Sequence, residues 1–332
     1  MTATRLTVLG AGSWGTALAL QAVRAGHHVT LWGRSPEQLA ALQEQRENAR
    51  YLPGIALPDA LVIETDLSRA LRACEGALIA TPSHAFGTTL EAVAAVAAPP
   101  LLWATKGFEP GTGRLLHEQI EQRLGHAHPA ALVTGPSFAR EVATALPTAV
   151  TVAARDHATA TRFADWLHAG AFRVYLSNDL IGAQVGGALK NVLAIAAGIS
   201  DGLRYGANAR AALITRGLAE LSRIGVALGG KAETLAGLTG LGDLLLTATD
   251  DQSRNRRYGL ALAAGQGAGE AQRAIGQVVE GHGTALEAHR LAQSLGVDAP
   301  IVEQVHAVLY DGRQPEAAVR ALLARSATAE TR

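Results

Sequence analysis

Gly10-Ala11-Gly12-Ser13-Trp14-Gly15 decides the reading of this chain. The segment follows the apolar run Leu6–Leu9 (LTVL) and opens the Ala/Leu-rich stretch Trp14–Ala25, so its three glycines sit between a predicted strand and a predicted helix. Gly10 permits a tight turn, Gly12 lets the backbone approach a pyrophosphate, and Gly15 lets helix and strand pack closely. The helix N-terminus then offers free N–H groups and a positive partial charge to an anion. Elsewhere this spacing would read as an ordinary glycine-rich turn; between a strand and a helix it predicts a dinucleotide-binding loop.

Outward from the loop, short apolar runs alternate with helical patterns. His28–Leu31, Leu61–Glu64, Ala77–Ala80, Leu101–Ala104 and Ala131–Thr134 read as further strands, with Ala149–Ala153 and Phe172–Leu176 extending the sheet. Fully apolar strands alternating with helices such as Pro36–Arg46 predict a parallel sheet covered on both faces. After Asn178 strand-like runs stop, and Ile181–Ile199, Ala209–Leu228 and Thr284–Leu295 read as long helices. The expected fold is α/β: a doubly wound sheet of Rossmann type over residues 1–178, followed by an all-helical substrate and catalytic domain over 179–332. The tail from Arg325 to Arg332 is small and polar and is expected to fray.

Composition narrows the function. The 332 residues are 48% hydrophobic and 17% charged, enough for a sizeable core in each of two domains. Lys+Arg and Asp+Glu number 29 each, so there is no net positive field to draw nucleic acid or an anionic membrane surface. A single cysteine, Cys74, excludes an intramolecular disulfide framework and a cysteine-based zinc site, and the eleven histidines show no metal-ligand spacing. The apolar stretch Leu6–Val23 could mimic a secretion signal, but it holds the three glycines and only Arg5 precedes it, so it reads as fold. A cytoplasmic protein is expected, without membrane insertion. A homodimer is a candidate assembly that the sequence leaves open.

Only three of the 29 basic residues are lysines: Lys106, Lys190 and Lys231. A chain that uses arginine almost everywhere keeps lysine as a candidate for chemistry guanidinium cannot perform, namely giving up a proton near neutral pH. Lys190 is the sole charged residue between Asp179 and Asp201, in a stretch apolar nearly all round. Burying an unpaired ammonium is costly, so a partner or a lowered pKa is expected, as for a lysine acid/base; a structural buried ion pair would leave the same pattern. Asp243, isolated in Leu238-Thr239-Gly240-Leu241-Gly242-Asp243-Leu244, is the candidate partner. Lys106, in Thr105-Lys106-Gly107-Phe108 at the end of the fifth strand, projects into the crevice where ligands of such sheets bind.

Two further segments suit anions. Gly135-Pro136-Ser137-Phe138-Ala139 follows the sixth strand with a free hydroxyl near a helix start. Ser253-Arg254-Asn255-Arg256-Arg257 leads into a helix with Ser and Asn donors beside arginine, a good phosphate site or else a solvated basic helix end. After the second strand the chain reads Trp32-Gly33-Arg34-Ser35, with Arg34 where an acid would bind a ribose 2′-hydroxyl. A cation there suits a 2′-phosphate and favours NADPH; a surface arginine in a polar turn would read the same way.

Together these stretches closely resemble the family of bacterial NAD(P)-dependent sn-glycerol-3-phosphate dehydrogenases. GAGSWGTALA from Gly10, TKGFEPGTG from Thr105, TGPSFAREVA from Thr134, ALKNVLAIAAGISDGL from Ala188, LTGLGDLLLT from Leu238, SRNRRYG from Ser253 and GQVVEG from Gly276 carry the resemblance in family order. It implies reversible reduction of dihydroxyacetone phosphate to sn-glycerol 3-phosphate for phospholipid synthesis, with NADP or NAD as cofactor. It further implies that Gly10, Gly12, Ser13, Trp14, Gly15, Arg34, Lys106, Ala139 and Arg254 contact the cofactor, with Val278 and Glu280 reaching it from the helical domain. Lys106, Gly135, Ser137, Asp243, Ser253, Arg254 and Asn255 would hold substrate, and Lys190 would be the proton donor and acceptor. Two rival readings are a related dehydrogenase acting on an unphosphorylated 2-oxo acid, against which the Ser253-Arg254-Asn255 segment argues, and a non-catalytic dinucleotide-binding regulator, which would need no buried lysine.

Overall fold

The computed structural model describes residues 3–72 and 74–325; the tail beyond Arg325, expected to fray, lies outside the described residues. The first half places strands β1 (Arg5–Leu9), β2 (His28–Trp32), β3 (Glu47–Asn48), β4 (Leu52–Ala56), β5 (Leu61–Glu64), β6 (Gly76–Ile79), β7 (Leu101–Trp103), β8 (Ala130–Thr134), β9 (Thr148–Ala154) and β10 (Phe172–Ser177). Interleaved with them are α1 (Ser13–Arg24), α2 (Pro36–Gln45), α3 (Leu67–Arg72), α4 (Ser83–Val96), α5 (Leu116–Leu124), α6 (Ala139–Ala143) and α7 (His157–Ala164). Eight strands form one sheet in the order β10-β9-β8-β7-β6-β1-β2-β5, and β3 and β4 form a separate antiparallel pair.

Strand β1 pairs in parallel with β2 on one side and β6 on the other, so the order reverses at β1 and a crevice opens at the carboxyl ends of these strands. Both faces are buried. Val8, Leu78 and Leu102 face one apolar layer, and Leu9, Ile79 and Trp103 face the other, which is why these strands read as unbroken apolar runs. The glycine loop, the segment after β7 and the segment after β8 therefore all emerge at one edge of the sheet.

The expected all-parallel sheet is corrected at one end. Strand β9 runs antiparallel to β8, and β10 runs parallel to β9. A parallel crossover must carry the chain back along the whole strand, usually on a helix of matching length. The connection from β8 to β9 holds only the five-residue α6, about 7.5 Å long, so the chain re-enters the sheet from the end at which it left. An apolar run such as Ala149–Ala153 carries no sign of its direction.

The second half is helical: α8 (Leu180–Gly202), α9 (Gly206–Ala227), α10 (Ala232–Leu235), a π-helical turn (Leu238–Gly242), α11 (Asp243–Thr249), α12 (Arg254–Ala263), α13 (Ala268–Ile275), α14 (Glu280–Leu295), α15 (Pro300–Tyr310) and α16 (Pro315–Leu323). Asp179 caps α8, accepting from the amides of Gly182 and Lys231 at 2.8 Å each. Helix α8 is long and apolar enough to span a membrane, yet 94% of its apolar window is buried in protein, and it forms the axis of the second core. Its glycines let neighbours touch its backbone. A Cβ on Gly198 would stand 2.1 Å from the Arg256 carbonyl, and one on Gly259 would stand 2.2 Å from the Ile195 carbonyl, so α8 and α12 pack at backbone contact. A Cβ on Gly186 would stand 2.5 Å from the Thr239 carbonyl, which seats the π-turn directly on α8.

Candidate active site

Because the π-turn rests on α8, Asp243 at the start of α11 falls beside Lys190 near the middle of α8. Lys190 donates to Asp243 Oδ1 and, at 2.8 Å, to Thr247 Oγ1. Lys106, coming from the other half of the molecule, donates to Asp243 Oδ2 at 2.5 Å and to the Gly135 carbonyl at 3.3 Å. Asp243 is completely buried and Lys190 is 6% exposed. The third lysine, Lys231, bonds Asn178 at 2.9 Å away from this cluster, so two of the three lysines converge on one carboxylate.

Two ammonium groups against one carboxylate leave a net positive charge in a buried place. Burial pushes Lys190 down to about 7, and the like charge of Lys106 adds to that, while Asp243 opposes it. Desolvation wins, because the carboxylate is shared. A lysine in that range can hold or release a proton near neutral pH.

The cationic segment reaches the cluster through α12. Ser253 caps that helix by accepting from the Arg256 amide at 3.2 Å. Asn255 accepts from the Gly281 amide at 2.9 Å and donates to Asn191, the neighbour of Lys190, at 2.8 Å. Its amide nitrogen has a second hydrogen available for a ligand. Arg254 is half-buried, 3.4 Å from Gln277 Oε1, and burial lowers its pKa against the pull of Glu280. Arg256, by contrast, is bound to Asp201 at 2.7 Å and to Asp251, so it is a structural cation.

The nucleotide side is built around the glycine loop. Gly10 has φ +121°, and a Cβ there would stand 2.8 Å from the Ala80 carbonyl; a Cβ on Gly15 would stand 1.9 Å from the Gly10 carbonyl. Nothing lies within 4 Å of a Cβ position on Gly12, so the loop is packed from below and open above. No side chain caps α1, and its first amides face that opening. The Trp14 indole nitrogen is buried without a partner among the described residues. These residues fit a dinucleotide pyrophosphate. Gly33 packs on Ala11, a Cβ there falling 2.9 Å from the Ala11 Cβ, which brings the exposed Arg34 alongside the loop.

The remaining residues predicted for the site are spread around this cleft. Ser137 donates to the Gly135 carbonyl at 3.1 Å, and Ala139 opens α6, which packs against α1. Val278 is 39% exposed. Glu280 accepts from Ser83 of α4 at 2.8 Å, joining the two halves, and burial raises its pKa against that bond. Sequence reasoning missed Thr247, Asn191 and Ser83. Thr247 stands four residues after Asp243 on one helix, and Asn191 adjoins Lys190, so helical spacing was an available signal for both.

An open glycine cradle on a Rossmann-type sheet, followed by a helical half with a buried lysine, fits a two-domain nicotinamide-dependent dehydrogenase. Residues 5–160 match the model of the NAD-dependent glycerol-3-phosphate dehydrogenase N-terminus, and residues 179–320 match that of its C-terminus. The chain is 54% identical over 328 residues to glycerol-3-phosphate dehydrogenase, NAD(P)+, of Pseudoalteromonas translucida, covering 98% of each chain. It is 56% identical over 322 residues to the protein of the same name from Thioalkalivibrio sulfidiphilus, covering 96% of this chain and 97% of that one. A crystal structure of glycerol-3-phosphate dehydrogenase from Coxiella burnetii superposes with a TM-score of 0.94 at 46% identity, over 97% of this chain and 99% of that one. The chain belongs to the NAD-dependent glycerol-3-phosphate dehydrogenase family.

Proposed function

We propose that this chain catalyses the reversible reduction of dihydroxyacetone phosphate to sn-glycerol 3-phosphate with NADPH or NADH, Lys190 moving the proton. The observation that carries the reading is the buried Lys190, held by Asp243 and Thr247 and brought down to about 7. Residues 1–178 serve as the dinucleotide-binding domain and residues 179–332 as the substrate and catalytic domain.

Gly10, Gly12, Ser13, Trp14 and Gly15 would hold the pyrophosphate, Arg34 would meet a ribose 2′-phosphate, and Ala139, Val278 and Glu280 would contribute further cofactor contacts. When bound, a reduced nicotinamide would supply the hydride that the substrate carbonyl carbon takes up. Lys190 gives its proton to the carbonyl oxygen as alkoxide charge develops there, and Asp243 keeps the ammonium aimed. Lys106, with Gly135 and Ser137, holds substrate from the nucleotide side. Arg254, Ser253 and Asn255 take the phosphate, and anchoring that remote group places the reacting carbon. The phosphate contacts favour this substrate over an unphosphorylated 2-oxo acid. A proton-competent lysine has no use in a mere dinucleotide-binding regulator. A cytoplasmic location accords with Cys74, the sole cysteine, being unpaired.

Initial rates at 340 nm, with dihydroxyacetone phosphate and either NADPH or NADH, test the reading. Cofactor oxidation that depends on the ketone phosphate supports it. Oxidation with a 2-oxo acid but not with dihydroxyacetone phosphate would overturn it.

A further inference from the structure

Helix α14 turns a polar stripe toward the nucleotide-binding half. Glu280, Thr284 and Glu287 stand four and three residues apart, on one helical face. Glu280 takes Ser83, a Cβ on Gly107 would stand 3.6 Å from Thr284 Oγ1, and the Gly111 amide donates to Glu287 Oε1 at 2.8 Å. Ser83 opens α4, whereas Gly107 and Gly111 lie on the loop that leaves β7 with Lys106 near its start.

That loop is a compact body. The Glu109 amide donates to the Arg114 carbonyl at 2.9 Å, and the Gly113 amide to the Glu109 carbonyl at 3.0 Å. Lys106 thus has an anchor on each side. Before it, Thr105 Oγ1 donates to the Thr81 carbonyl at 2.7 Å; after it, the tie is Gly111 to Glu287. Glu287 is only 5% exposed, its Oε2 is buried without a partner among the described residues, and Arg290 reaches no nearer than 3.7 Å. A carboxylate this deep with one direct hydrogen bond is costly to place, and an apolar side chain would fill the space at less cost. What the carboxylate adds is a strong acceptor for one loop amide.

We propose that Glu287 is a positioning residue for the reaction: by holding Gly111 it fixes the loop that carries Lys106, and so keeps Lys106 against Asp243 and the substrate. This rests on the reading of Lys106 as a substrate-holding residue. Glu287 touches neither substrate nor cofactor.

A double-mutant cycle over Glu287→Ala and Lys106→Met, read as kcat/KM for dihydroxyacetone phosphate, tests the proposal. Glu287→Ala is expected to lower kcat/KM about 10-fold, mainly by raising the ketone KM, the scale of one lost charge-assisted bond. NADPH affinity, followed by fluorescence quenching, should hold. In the Lys106→Met background the same substitution should cost less than about twofold, because its target is already gone. Glu287→Gln keeps an acceptor and should recover most of what the alanine variant loses. An equal loss in both backgrounds would show that Glu287 acts on the fold at large and overturn the proposal. Normal kcat/KM in Lys106→Met alone would instead overturn the reading of Lys106, and the proposal with it. If Glu287→Ala fails to fold, Glu287→Asp, whose shorter arm falls short of Gly111, enters the same cycle with the same two outcomes.

Discussion

Lys106 Nζ lies 2.5 Å from Asp243 Oδ2, and that bond ties the loop after β7 to the first turn of α11 across the cleft between the two halves. Asp243 thereby does two things at once: it joins the halves, and it divides its charge between Lys106 and Lys190. Sharing leaves Lys190 less stabilised as an ammonium than a private ion pair would, so its burial is felt. The same contact that joins the halves acts on the Lys190 amine.

The pH dependence follows from that effect on Lys190. If Lys190 is the proton donor and acceptor, as proposed, reduction needs its ammonium and oxidation needs the neutral amine. With Lys190 brought down to about 7, the reduction rate should fall as pH rises through about 7, and the rate of glycerol 3-phosphate oxidation should rise over the same window. Initial rates in both directions between pH 5 and 9, roughly two units either side, check this. Parallel slopes in the two directions would place the titrating group elsewhere.

The proposed contact of Arg34 with a 2′-phosphate makes a prediction about cofactor choice. Arg34 is exposed beside the glycine loop, where a 2′-phosphate would be reached and a ribose hydroxyl would not need it. Arg34→Asp should raise the KM for NADPH far more than that for NADH, measured at saturating ketone. Equal effects on both cofactors would make Arg34 a surface residue.

Arg254 should act on the phosphate. Its loss to alanine is expected to cost about 1.5–3 kcal/mol in kcat/KM for dihydroxyacetone phosphate, the range for a hydrogen bond to a charged group. Unphosphorylated dihydroxyacetone, a poor substrate for the wild type, should show little further loss. A common factor on both ketones would place the phosphate site elsewhere.

Backbone contact between α8 and α12 makes Gly198 a test of how the phosphate segment is held. A Cβ there would stand 2.1 Å from the Arg256 carbonyl, so Gly198→Ala must push the start of α12 away from α8. Overpacking of this kind costs roughly 1–3 kcal/mol of stability. The shift carries Ser253, Arg254 and Asn255 with it, so the ketone phosphate KM should rise along with a fall in Tm. A variant with unchanged Tm and KM would mean the two helices can part without disturbing the site.

Much of this was legible in the residues. The glycine loop, the strands around it and the buried helix each announce themselves through a local pattern: three glycines at fixed spacing, short unbroken apolar runs, or a long stretch apolar nearly all round. The scarcity of lysine singled out Lys106 and Lys190, and an acid alone among apolar residues singled out Asp243. Of the pairings across the chain, only Lys190 with Asp243 was expected, two isolated charges among apolar residues, and the structure joins them. Nothing local says that Lys106 and Lys190 share Asp243, that Asn255 spends one bond on Asn191 and one on the Gly281 amide, or that Glu287 reaches Gly111 from a helix more than 170 residues further along the chain. Nor does an apolar strand such as β9 reveal which way it runs, because direction is set by the length of the connection before it.

Proton transfer by Lys190 is tested most directly by comparing wild type, Lys190→Ala and Lys190→Arg at neutral pH, with kcat from the 340 nm rate and NADPH affinity from fluorescence quenching. The alanine variant should bind NADPH normally and turn over about 100-fold more slowly or worse, the scale of losing a positioned acid/base. The arginine variant should be no better, because guanidinium stays protonated throughout the range of the assay. Near-normal turnover in Lys190→Arg would show that the position supplies only charge, and would contradict the assignment of Lys190 as proton donor and acceptor.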